Sequence, residues 1–358
     1  MKKIRVLVVE DSLTLRRYIC EVLESDPEFE LVGEAEDGKR AIELCERLRP
    51  DVMTLDMVLP IMSGQAVTEY VMAHFPTPIL IVSASTNRGE LFKSYEALAA
   101  GAVDVLEKPS GAQQDGVWEA HFLSTVKLVS RIKVITHPRA RLRELRASPS
   151  DPPAPKTPSL NAPRRRVIAL GASTGGPGAV VTVLNGLRPM RAVPVLLVMH
   201  IDEPFSSAFA DWLDAQTEHR VSYARDGETL ESCGGRVVMA PAGRHLMLKD
   251  GRLRLVLDSP RHSCRPSVDV LFESLAAELG PAVVACLMTG MGRDGAAGLL
   301  ALRRSGALTI AQDEATCVVY GMPREAVLLG AAERVLPLGE IGGALGYSTN
   351  RREGGLDD

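Results

Sequence analysis

The chain has 358 residues, an apolar content of 46% and a formal net charge of −4. This length predicts about two domains, and the apolar content is sufficient for packed interiors. The charge gives no electrostatic basis for binding nucleic acid or an anionic membrane surface. Six cysteines occur without a CxxC pair, so neither a zinc site nor a disulfide framework is indicated, and we expect small buried residues. Neither a signal peptide nor a membrane span is found, which predicts a cytoplasmic protein.

Buried strands and amphipathic helices alternate through the first 138 residues. The continuous β-branched run Ile4–Val9 is typical of a strand buried on both faces, and Val52–Leu55 and Ile79–Val82 repeat this pattern. Between the first two of these strands, apolar residues recur at helical spacing from Ala41 to Leu48. Repeated strand–helix units require right-handed crossovers, which predicts a parallel sheet.

Polar side chains occur where these strands end, at Glu10 and Asp11, Asp56, Ser83, and Lys108. Functional groups of open parallel sheets gather beyond the carboxyl ends of the strands, so we expect these side chains to lie together. A helix cap or a solvated loop would explain any one of the carboxylates taken alone. Three converging carboxylates, however, repel one another unless a hard dication such as Mg²⁺ neutralises them. With an ammonium and a hydroxyl beside it, Asp56 would accept a phosphoryl group as an acyl phosphate.

This set of residues resembles the receiver domain of two-component response regulators, from residue 3 to about residue 125. The resemblance implies a flavodoxin-like fold with a five-stranded parallel sheet. It implies Asp56 as the phosphoacceptor, with Glu10 and Asp11 completing a magnesium pocket. It further implies that Ser83 and Lys108 contact the phosphoryl group.

Two positions depart from the receiver pattern. Ser63, within Leu59-Pro60-Ile61-Met62-Ser63-Gly64, stands where the family usually has aspartate. Val105, three residues before Lys108, stands where receivers commonly place an aromatic switch residue. The second departure concerns how phosphorylation is coupled to the rest of the protein, and leaves the phosphorylation chemistry itself in place.

Residues 139–165 interrupt the strand–helix pattern. Prolines are interleaved there with serine, alanine and many arginines, among them Pro152, Pro153, Pro155, Pro158 and Pro163. This composition predicts a mobile linker, with an arginine interaction patch as the alternative. We therefore expect a receiver domain at 1–138, the linker at 139–165, a second domain at 166–347 and a disordered tail at 348–358.

The second domain repeats the buried-strand pattern, at Val167–Leu170, Val195–Met199 and Val283–Met288. These strands predict a doubly wound α/β domain. One segment differs, because Leu246–Lys249 and Leu253–Leu257 flank Asp250-Gly251. Asp-Gly between two apolar runs is a tight hairpin signal, so we expect an antiparallel edge hairpin on the second sheet.

The first strand of this domain runs into Gly171-Ala172-Ser173-Thr174-Gly175. Gly-x-Ser-x-Gly after a strand is the spacing of a nucleophile turn, in which the glycines admit a strained backbone and the serine hydroxyl is exposed. A phosphate-cradling loop matches less well, because no lysine follows as in a P-loop and no Gly-x-Gly-x-x-Gly opens the helix. A purely structural tight turn stays open on this motif alone.

A nucleophilic serine needs a base and an acid that orients the base. Of the seven histidines, His200 ends the strand Val195–Met199, at the same predicted sheet edge as Ser173. Asp294 lies in the glycine-rich loop after Val283–Met288, again at a strand's carboxyl end. A histidine that ends a strand is often structural, but three catalytic residue types at matching edges indicate a catalytic set. The chain order Ser, His, Asp excludes the common α/β-hydrolase fold, which runs Ser, Asp, His.

This order and five motifs are similar to the chemotaxis receptor methylesterase family, CheB, over about residues 166–347. The motifs are Gly-Ala-Ser-Thr-Gly-Gly, Ala-Pro-Ala-Gly-Arg-His-Leu, Arg-Pro-Ser-Val-Asp-Val-Leu-Phe, Met-Thr-Gly-Met-Gly-Arg-Asp-Gly and Tyr-Gly-Met-Pro-Arg. The resemblance implies Ser173 as nucleophile, His200 as general base and Asp294 as its orienting partner. It places candidate oxyanion donors at the backbone amides near Thr174 and Met291, and it implies no cofactor for the esterase chemistry.

The resemblance implies a phosphorylation-regulated serine hydrolase that removes methyl esters from glutamates of methyl-accepting chemotaxis receptors and deamidates glutamines. A chemotaxis histidine kinase is the implied phosphodonor. The family usually has Gln-His-Met-Pro around the base, whereas this chain has Met199-His200-Ile201-Asp202. If Met199 and Asp202 spoil the site, the alternative is a catalytically impaired, phospho-dependent scaffold. A transcriptional output would need a basic helix-turn-helix, which the glycine-rich strand–helix pattern argues against.

Overall fold

The computed structural model describes residues 2–84, 87–109, 116–132, 134, 165–188, 193–201 and 203–349. The chain divides into two compact units, Met1–Glu144 and Leu145–Asp358. The predicted linker falls outside the described residues except for Arg165, and so does the predicted tail beyond Thr349. The boundaries that we placed at either end of the linker therefore stay predictions.

In the described residues of the first unit, five strands alternate with five helices. The strands are β1 (Ile4–Val9), β2 (Phe29–Ala35), β3 (Val52–Leu55), β4 (Ile79–Ser83) and β5 (Asp104–Glu107). The helices are α1 (Leu13–Glu24), α2 (Gly38–Leu48), α3 (Gly64–His74), α4 (Arg88–Ala100) and α5 (Val117–Val129). All strand pairs are parallel, in the order β2-β1-β3-β4-β5, which confirms the predicted five-stranded parallel sheet.

Polar side chains cap the start of four of the five described helices of the first unit. The side chains of four residues accept a hydrogen bond from the backbone N–H three positions on: Ser12, Asp37, Ser63 and Asn87. Such caps satisfy N–H groups that the start of a helix leaves without a partner. Ser63, one of the two departures from the receiver pattern, therefore caps α3, with its Oγ 3.3 Å from Ala66 N.

The second unit is built from more strands and helices. Its strands are β6 (Val167–Ala172), β7 (Val195–Met199), β8 (Arg220–Tyr223), β9 (Arg236–Met239), β10 (His245–Lys249), β11 (Arg252–Val256), β12 (Val283–Leu287), β13 (Leu308–Gln312) and β14 (Arg334–Leu336). Its helices are α6 (Gly176–Gly186), α7 (Glu203–Ser206), α8 (Phe209–Gln216), α9 (Val268–Glu278), α10 (Ala296–Arg304), α11 (Met322–Leu328) and α12 (Leu338–Thr349). Helix α12 extends two residues into the predicted tail. Among the helices described in either unit, none is long and apolar enough to span a membrane.

Seven of these strands form one parallel sheet, in the order β14-β13-β12-β6-β7-β9-β8. This arrangement confirms the predicted doubly wound α/β domain. Strand β6 lies between β12 and β7, and the chain continues from β6 toward one edge of the sheet and later returns to build the other. Such a switch point opens a crevice beyond the carboxyl ends of the neighbouring strands, which is where α/β proteins place their sites.

The predicted antiparallel hairpin is present as β10 and β11, joined by Asp250-Gly251. Both turn residues are left-handed, with φ of 53° and 69°, as a two-residue hairpin turn requires. The hairpin forms a two-stranded sheet of its own and is not an edge of the seven-stranded sheet. Its apolar side packs on α9, where Leu248 N donates to Ser274 Oγ at 3.0 Å. Burial of the hairpin against a helix, which local sequence pattern does not encode, determines its position.

Candidate active site and carboxylate pocket

Ser173 lies directly after β6, in the turn that leads into α6. Its backbone N–H donates to Thr289 O at 3.0 Å, and its carbonyl accepts a hydrogen bond from Gly176 N at 2.7 Å. Gly175 has a φ of 75°, a left-handed value that favours glycine. These contacts hold Ser173 at the carboxyl edge of the central strand, in the turn that the Gly-x-Ser-x-Gly spacing predicts.

The loop from Thr289 to Gly295 packs directly against Ser173. A Cβ atom built on Gly290 would lie 2.7 Å from Ser173 Cβ and 2.4 Å from Met322 Sδ. Both distances are too short for real carbon contacts, so only glycine allows the loop to approach this closely. The loop thereby brings its following residues to the same sheet edge as the serine.

His200 follows β7, the parallel neighbour of β6. Ala172 pairs with Met199, so Ser173 and His200 are the next residues along two adjacent strands. His200 N donates to Ala172 O at 3.0 Å, and the ring Nε2 lies 2.9 Å from Asp294 Oδ2. In the described part of the chain, no hydrogen bond joins Ser173 Oγ to His200. Catalytic hydrogen bonds are often long in free enzymes and tighten when substrate binds.

Asp294 lies in the loop between β12 and α10 and is 2% exposed. Its Oδ1 accepts hydrogen bonds from Ser267 Oγ at 2.7 Å and Asp269 N at 3.1 Å. Its Oδ2 accepts from Val268 N at 2.7 Å as well as from His200. The two backbone donors belong to the first turn of α9, where the helix dipole favours a negative charge. Asp294 is therefore fixed in position, as an anion, by the start of α9.

The charges of His200 and Asp294 stabilise each other. Burial alone would lower the pKa of His200, but the hydrogen bond to Asp294 and the sulfur of Cys264 beside the ring raise it to about 9. Burial would raise the pKa of Asp294, but the hydrogen bonds from His200 and Ser267 hold it below the usual value. An ionised carboxylate thus supports a protonated imidazole, the form that a general base reaches during acyl transfer.

Two backbone amides next to Ser173 are available to a ligand. The N–H groups of Thr174 and Met291, the predicted oxyanion donors, have no hydrogen-bond acceptor among the described residues. Thr289 anchors Thr174, because its Oγ1 donates to Thr174 O at 3.0 Å. Met291 directly follows Gly290, which packs on the serine. Donors of this kind stabilise the negative charge that develops on the carbonyl oxygen in acyl transfer.

Cys264 also contacts the ring of His200. Five of the six cysteines are buried, as expected, whereas Cys264 is partly exposed. Its Sγ lies 3.7 Å from His200 Nδ1 and 3.4 Å from His262 O. The ring of His200 is therefore flanked by Asp294 at Nε2 and by Cys264 at Nδ1.

Sequence reasoning missed two residues of this site, Ser267 and Cys264. Ser267 caps α9, accepting a hydrogen bond from Val270 N at 3.4 Å, and also donates to Asp294. A signal for Ser267 was present, because serine directly before an apolar helical run is a typical helix start. Cys264 has no comparable signal, since it lies 64 residues from His200 in the chain.

The predicted phosphorylation residues of the first unit lie at one sheet edge. Ligand oxygens of Glu10, Asp11 and Asp56 are all within 4.8 Å of one another. Lys108 Nζ lies 2.9 Å from both Glu10 Oε2 and Asp56 Oδ2. Ser83 is buried at the end of β4, and its carbonyl accepts a hydrogen bond from Lys108 N at 3.0 Å.

The electrostatics of this carboxylate pocket favour a further cation. Burial, with the charge of Asp56 added, raises the pKa of Glu10 to about 7 although Lys108 opposes it. Burial likewise raises the pKa of Asp56 against the effect of Lys108. A single ammonium does not neutralise three carboxylates, and an all-oxygen donor set suits a hard dication. The residues present therefore fit Mg²⁺.

The positions that depart from the family patterns have structural roles where they are described. Val105 lies on β5 beside Ile81 and is 5% exposed, so it is a core residue. Met199 is 3% exposed, and its Cε lies 2.5 Å from where a Cβ on Gly176 would be. Met199 thus packs beneath the nucleophile turn and does not occupy the place of a catalytic group. Asp202 lies outside the described residues.

Comparison with known proteins covers both units. Residues 168–345 match the CheB methylesterase family, and residues 6–115 match the response regulator receiver domain. The chain is 42% identical over 344 residues to protein-glutamate methylesterase/protein-glutamine glutaminase 2 of Anaeromyxobacter dehalogenans, with 96% of each chain covered. It is 42% identical over 356 residues to the protein of the same name from Pseudomonas aeruginosa, covering 98% of this chain and 99% of that one. The crystal structure of the Thermotoga maritima CheB methylesterase catalytic domain is 32% identical and covers 51% of this chain and 98% of that chain, with a TM-score of 0.48. Because its identity to these two relatives extends over nearly the whole sequence, the chain belongs to the CheB methylesterase family.

Proposed function

We propose that the chain is a phosphorylation-regulated protein-glutamate methylesterase and protein-glutamine glutaminase that acts on methyl-accepting chemotaxis receptors. One observation carries the proposal. Ser173, His200 and Asp294 follow three neighbouring strands, with His200 Nε2 2.9 Å from Asp294 Oδ2. The names of the two relatives support the same pair of activities. Both reactions transfer an acyl group from a glutamyl γ-carbonyl, so a single serine site serves both.

In the proposed mechanism, Ser173 Oγ attacks the γ-carbonyl carbon while His200 accepts the hydroxyl proton. Because Nε2 is held by Asp294, the proton is taken at Nδ1. The tetrahedral intermediate collapses as His200 returns the proton to the leaving group, which releases methanol from an ester or ammonia from an amide. Water then attacks the acyl-enzyme by the same route, leaving a glutamate side chain and free Ser173.

The remaining groups of the site stabilise the charges that this reaction creates. Asp294 orients His200 and stabilises the imidazolium. The amides of Thr174 and Met291 would donate to the oxyanion, and each such donor typically contributes about 10²–10³ in rate. These roles are filled by side chains and backbone groups of the chain itself, so the proposal includes no cofactor for the esterase step.

The first unit would supply the regulation. Asp56 accepts a phosphoryl group from a chemotaxis histidine kinase as an acyl phosphate, and Lys108 and Ser83 contact its oxygens. Glu10, Asp11 and Asp56 would hold Mg²⁺, which neutralises charge on the transferring phosphoryl group. The expected cytoplasmic location is part of this proposal.

Methanol release from receptors that carry labelled methyl esters tests the proposal with the full-length chain. Conversion of receptor glutamine to glutamate, followed by mass spectrometry, tests the second activity. The scaffold alternative predicts phospho-dependent receptor binding without either product. It is not favoured, because the side chain of Met199 packs beneath the turn and the hydrogen bond between His200 and Asp294 is present.

A further inference from the structure

We propose that Cys264 and His200 form a binding site for Zn²⁺, and that Zn²⁺ bound there switches off the hydrolase by occupying its base. Cys264 Sγ lies 3.7 Å from His200 Nδ1. Zinc–sulfur bonds of about 2.3 Å and zinc–nitrogen bonds of about 2.0 Å, in a tetrahedral arrangement, place the two ligand atoms about 3.5 Å apart. The spacing of these two atoms therefore already suits a shared ion.

The ring of His200 is oriented as that of a metal-binding histidine. Its Nε2 donates to Asp294 Oδ2 at 2.9 Å, so Nδ1, the nitrogen that faces Cys264, is the one that binds a metal once it has lost its proton. Metal-ligating histidines usually donate their other N–H to a carboxylate, because this fixes the ring and raises its basicity. Asp294 is in turn fixed by Ser267 Oγ and Val268 N, so the ring is held in this orientation before any ion arrives.

A cation can reach this pair from solvent. Cys264 is the one cysteine of the six that is not buried, and the His200 side chain is 13% exposed. His200, Cys264 and Asp294 each offer one possible ligand atom within 4.8 Å of the other two, so the carboxylate of Asp294 adds a negative charge close to the ion. Structural zinc sites have four protein ligands, whereas this site offers two and leaves the other positions to water. The chemistry therefore suits reversible inhibition and not a permanent structural role.

Binding replaces a weak contact between thiol and imidazole with two metal bonds. The thiol and the protonated ring of His200 each lose a proton to solvent, the resulting thiolate and Nδ1 each donate an electron pair to Zn²⁺, and no electrons are transferred. Nδ1 is also the atom that accepts the Ser173 proton in the proposed mechanism. The metal site itself follows from the geometry alone, but its effect on turnover rests on the proposed function.

Titration of the full-length chain with Co²⁺ tests the site directly. Cobalt bound to a thiolate gives an intense near-ultraviolet charge-transfer band, which oxygen ligands such as those of the carboxylate pocket do not give. With thiols kept reduced by a phosphine, we expect one such site per chain, from which Zn²⁺ displaces Co²⁺.

Cys264→Ser and His200→Gln should each lose the band or weaken binding by at least about tenfold. Cys20→Ser, which changes a buried cysteine of the other unit, should keep it. A full-strength band in folded Cys264→Ser, or no band in the parent chain, would contradict the proposed metal site.

Zn²⁺ inhibition of methanol release tests the consequence. We expect saturating Zn²⁺ to lower the rate of the parent chain at least about tenfold, with recovery on adding a chelator. Cys264→Ser should need at least about tenfold more Zn²⁺ for half-inhibition, each variant being compared with its own metal-free rate. Unchanged methanol release in the Zn²⁺-loaded parent would contradict the proposal that Zn²⁺ inhibits the hydrolase. Absence of methanol release without any metal would instead contradict the proposed function, and the cobalt band would still decide whether the metal site exists.

Discussion

At the scale of single residues, Ser173 carries the strongest prediction. Nucleophile and base act as one unit, so we expect Ser173→Ala to lower kcat by at least about 10³. Methanol release under single-turnover conditions measures this loss. Ser207→Ala, a change at an exposed serine of the same unit, is the matched control. Near-parental turnover in Ser173→Ala would exclude Ser173 as the nucleophile.

The pH dependence of the reaction should report the partners of His200. Only the neutral imidazole accepts a proton, and because the pKa of His200 is raised to about 9, the rate should increase with pH across the neutral range toward that value. Acidification protonates the base and lowers the rate. Asp294→Asn removes the neighbouring charge, so the increase should move to lower pH as the maximal rate falls.

The profile of kcat/KM measures this effect after subtraction of the Ser173→Ala rate, which corrects for spontaneous ester hydrolysis at high pH. Ser207→Ala should reproduce the parental profile. An increase at the same pH in the parent and in Asp294→Asn would show that Asp294 does not set the pKa of the base.

At the scale of elements, α9 couples stability to catalysis at its first turn. Ser267 caps this helix and donates to Asp294, so Ser267→Ala should lower the free energy of unfolding by about 0.5–2 kcal/mol. It should also lower the turnover rate by up to about 100-fold, because a misplacement of about 1 Å in a catalytic group can reduce the rate by that factor. Denaturant melts and methanol release measure the two effects.

Ser63→Ala is the matched control, because Ser63 caps α3 in the first unit, whereas Ser173, His200 and Asp294 belong to the second unit. It should lose comparable stability in the first unit and keep its turnover in the absence of phosphodonor. If Ser267→Ala loses stability but keeps full turnover, the bond from Ser267 to Asp294 has no catalytic consequence.

The loop after β12 should tolerate no side chain where it meets the serine. Gly290→Ala puts a Cβ 2.7 Å from Ser173 Cβ, so we expect it to displace the nucleophile and to destabilise the unit by about 1–3 kcal/mol. Gly339→Ala is the contrasting change, because no atom lies within 4 Å of its added Cβ and the position is helical. It should stabilise α12 by up to about 1 kcal/mol and leave turnover unchanged. Equal turnover in the two variants would contradict the close approach at Gly290.

Elements buried on both faces were the most predictable part of the fold. Runs such as Val195–Met199 are continuous and apolar because helices cover both sides of a parallel sheet, and residues just beyond such runs lie at one edge. That reasoning placed His200 and Asp294 at the carboxyl edge of the second sheet, where they lie in the structure. It did not place the β10–β11 hairpin or Cys264, because their positions depend on packing between segments far apart in the sequence. Ser267 was accessible to sequence reasoning as a helix cap, but its bond to Asp294 was not.

At the scale of the whole molecule, the phosphorylation state of Asp56 should set the rate at Ser173. Small phosphodonors with Mg²⁺ should label the full-length chain and accelerate methanol release, by roughly 5–150-fold on the usual range of coupling between sites. A fragment that begins at Arg164 lacks Asp56, so phosphodonor should leave its rate unchanged, and that rate should exceed the rate of the unphosphorylated full chain.

Asp56→Asn should abolish both labelling and acceleration, and Asp51→Asn, a change at an aspartate outside the carboxylate pocket, should retain both. Label that survives in Asp56→Asn would move the phosphoacceptor to another residue. A fragment slower than the unphosphorylated full chain would show that the first unit activates the second and does not restrain it.

The two amides at the start of α9 offer a way to follow the position of the Asp294 carboxylate without substrate, receptor or phosphodonor. First-turn N–H groups of a helix have no partner within the helix, but those of Val268 and Asp269 are bound to Asp294. Their exchange with deuterium should therefore be slow only while that carboxylate is in place. As temperature rises, protection at these two amides could be lost before protection in the central strands. The enzyme would then become inactive while it is still folded. Deuterium uptake at the start of α9 would give the temperature at which this happens.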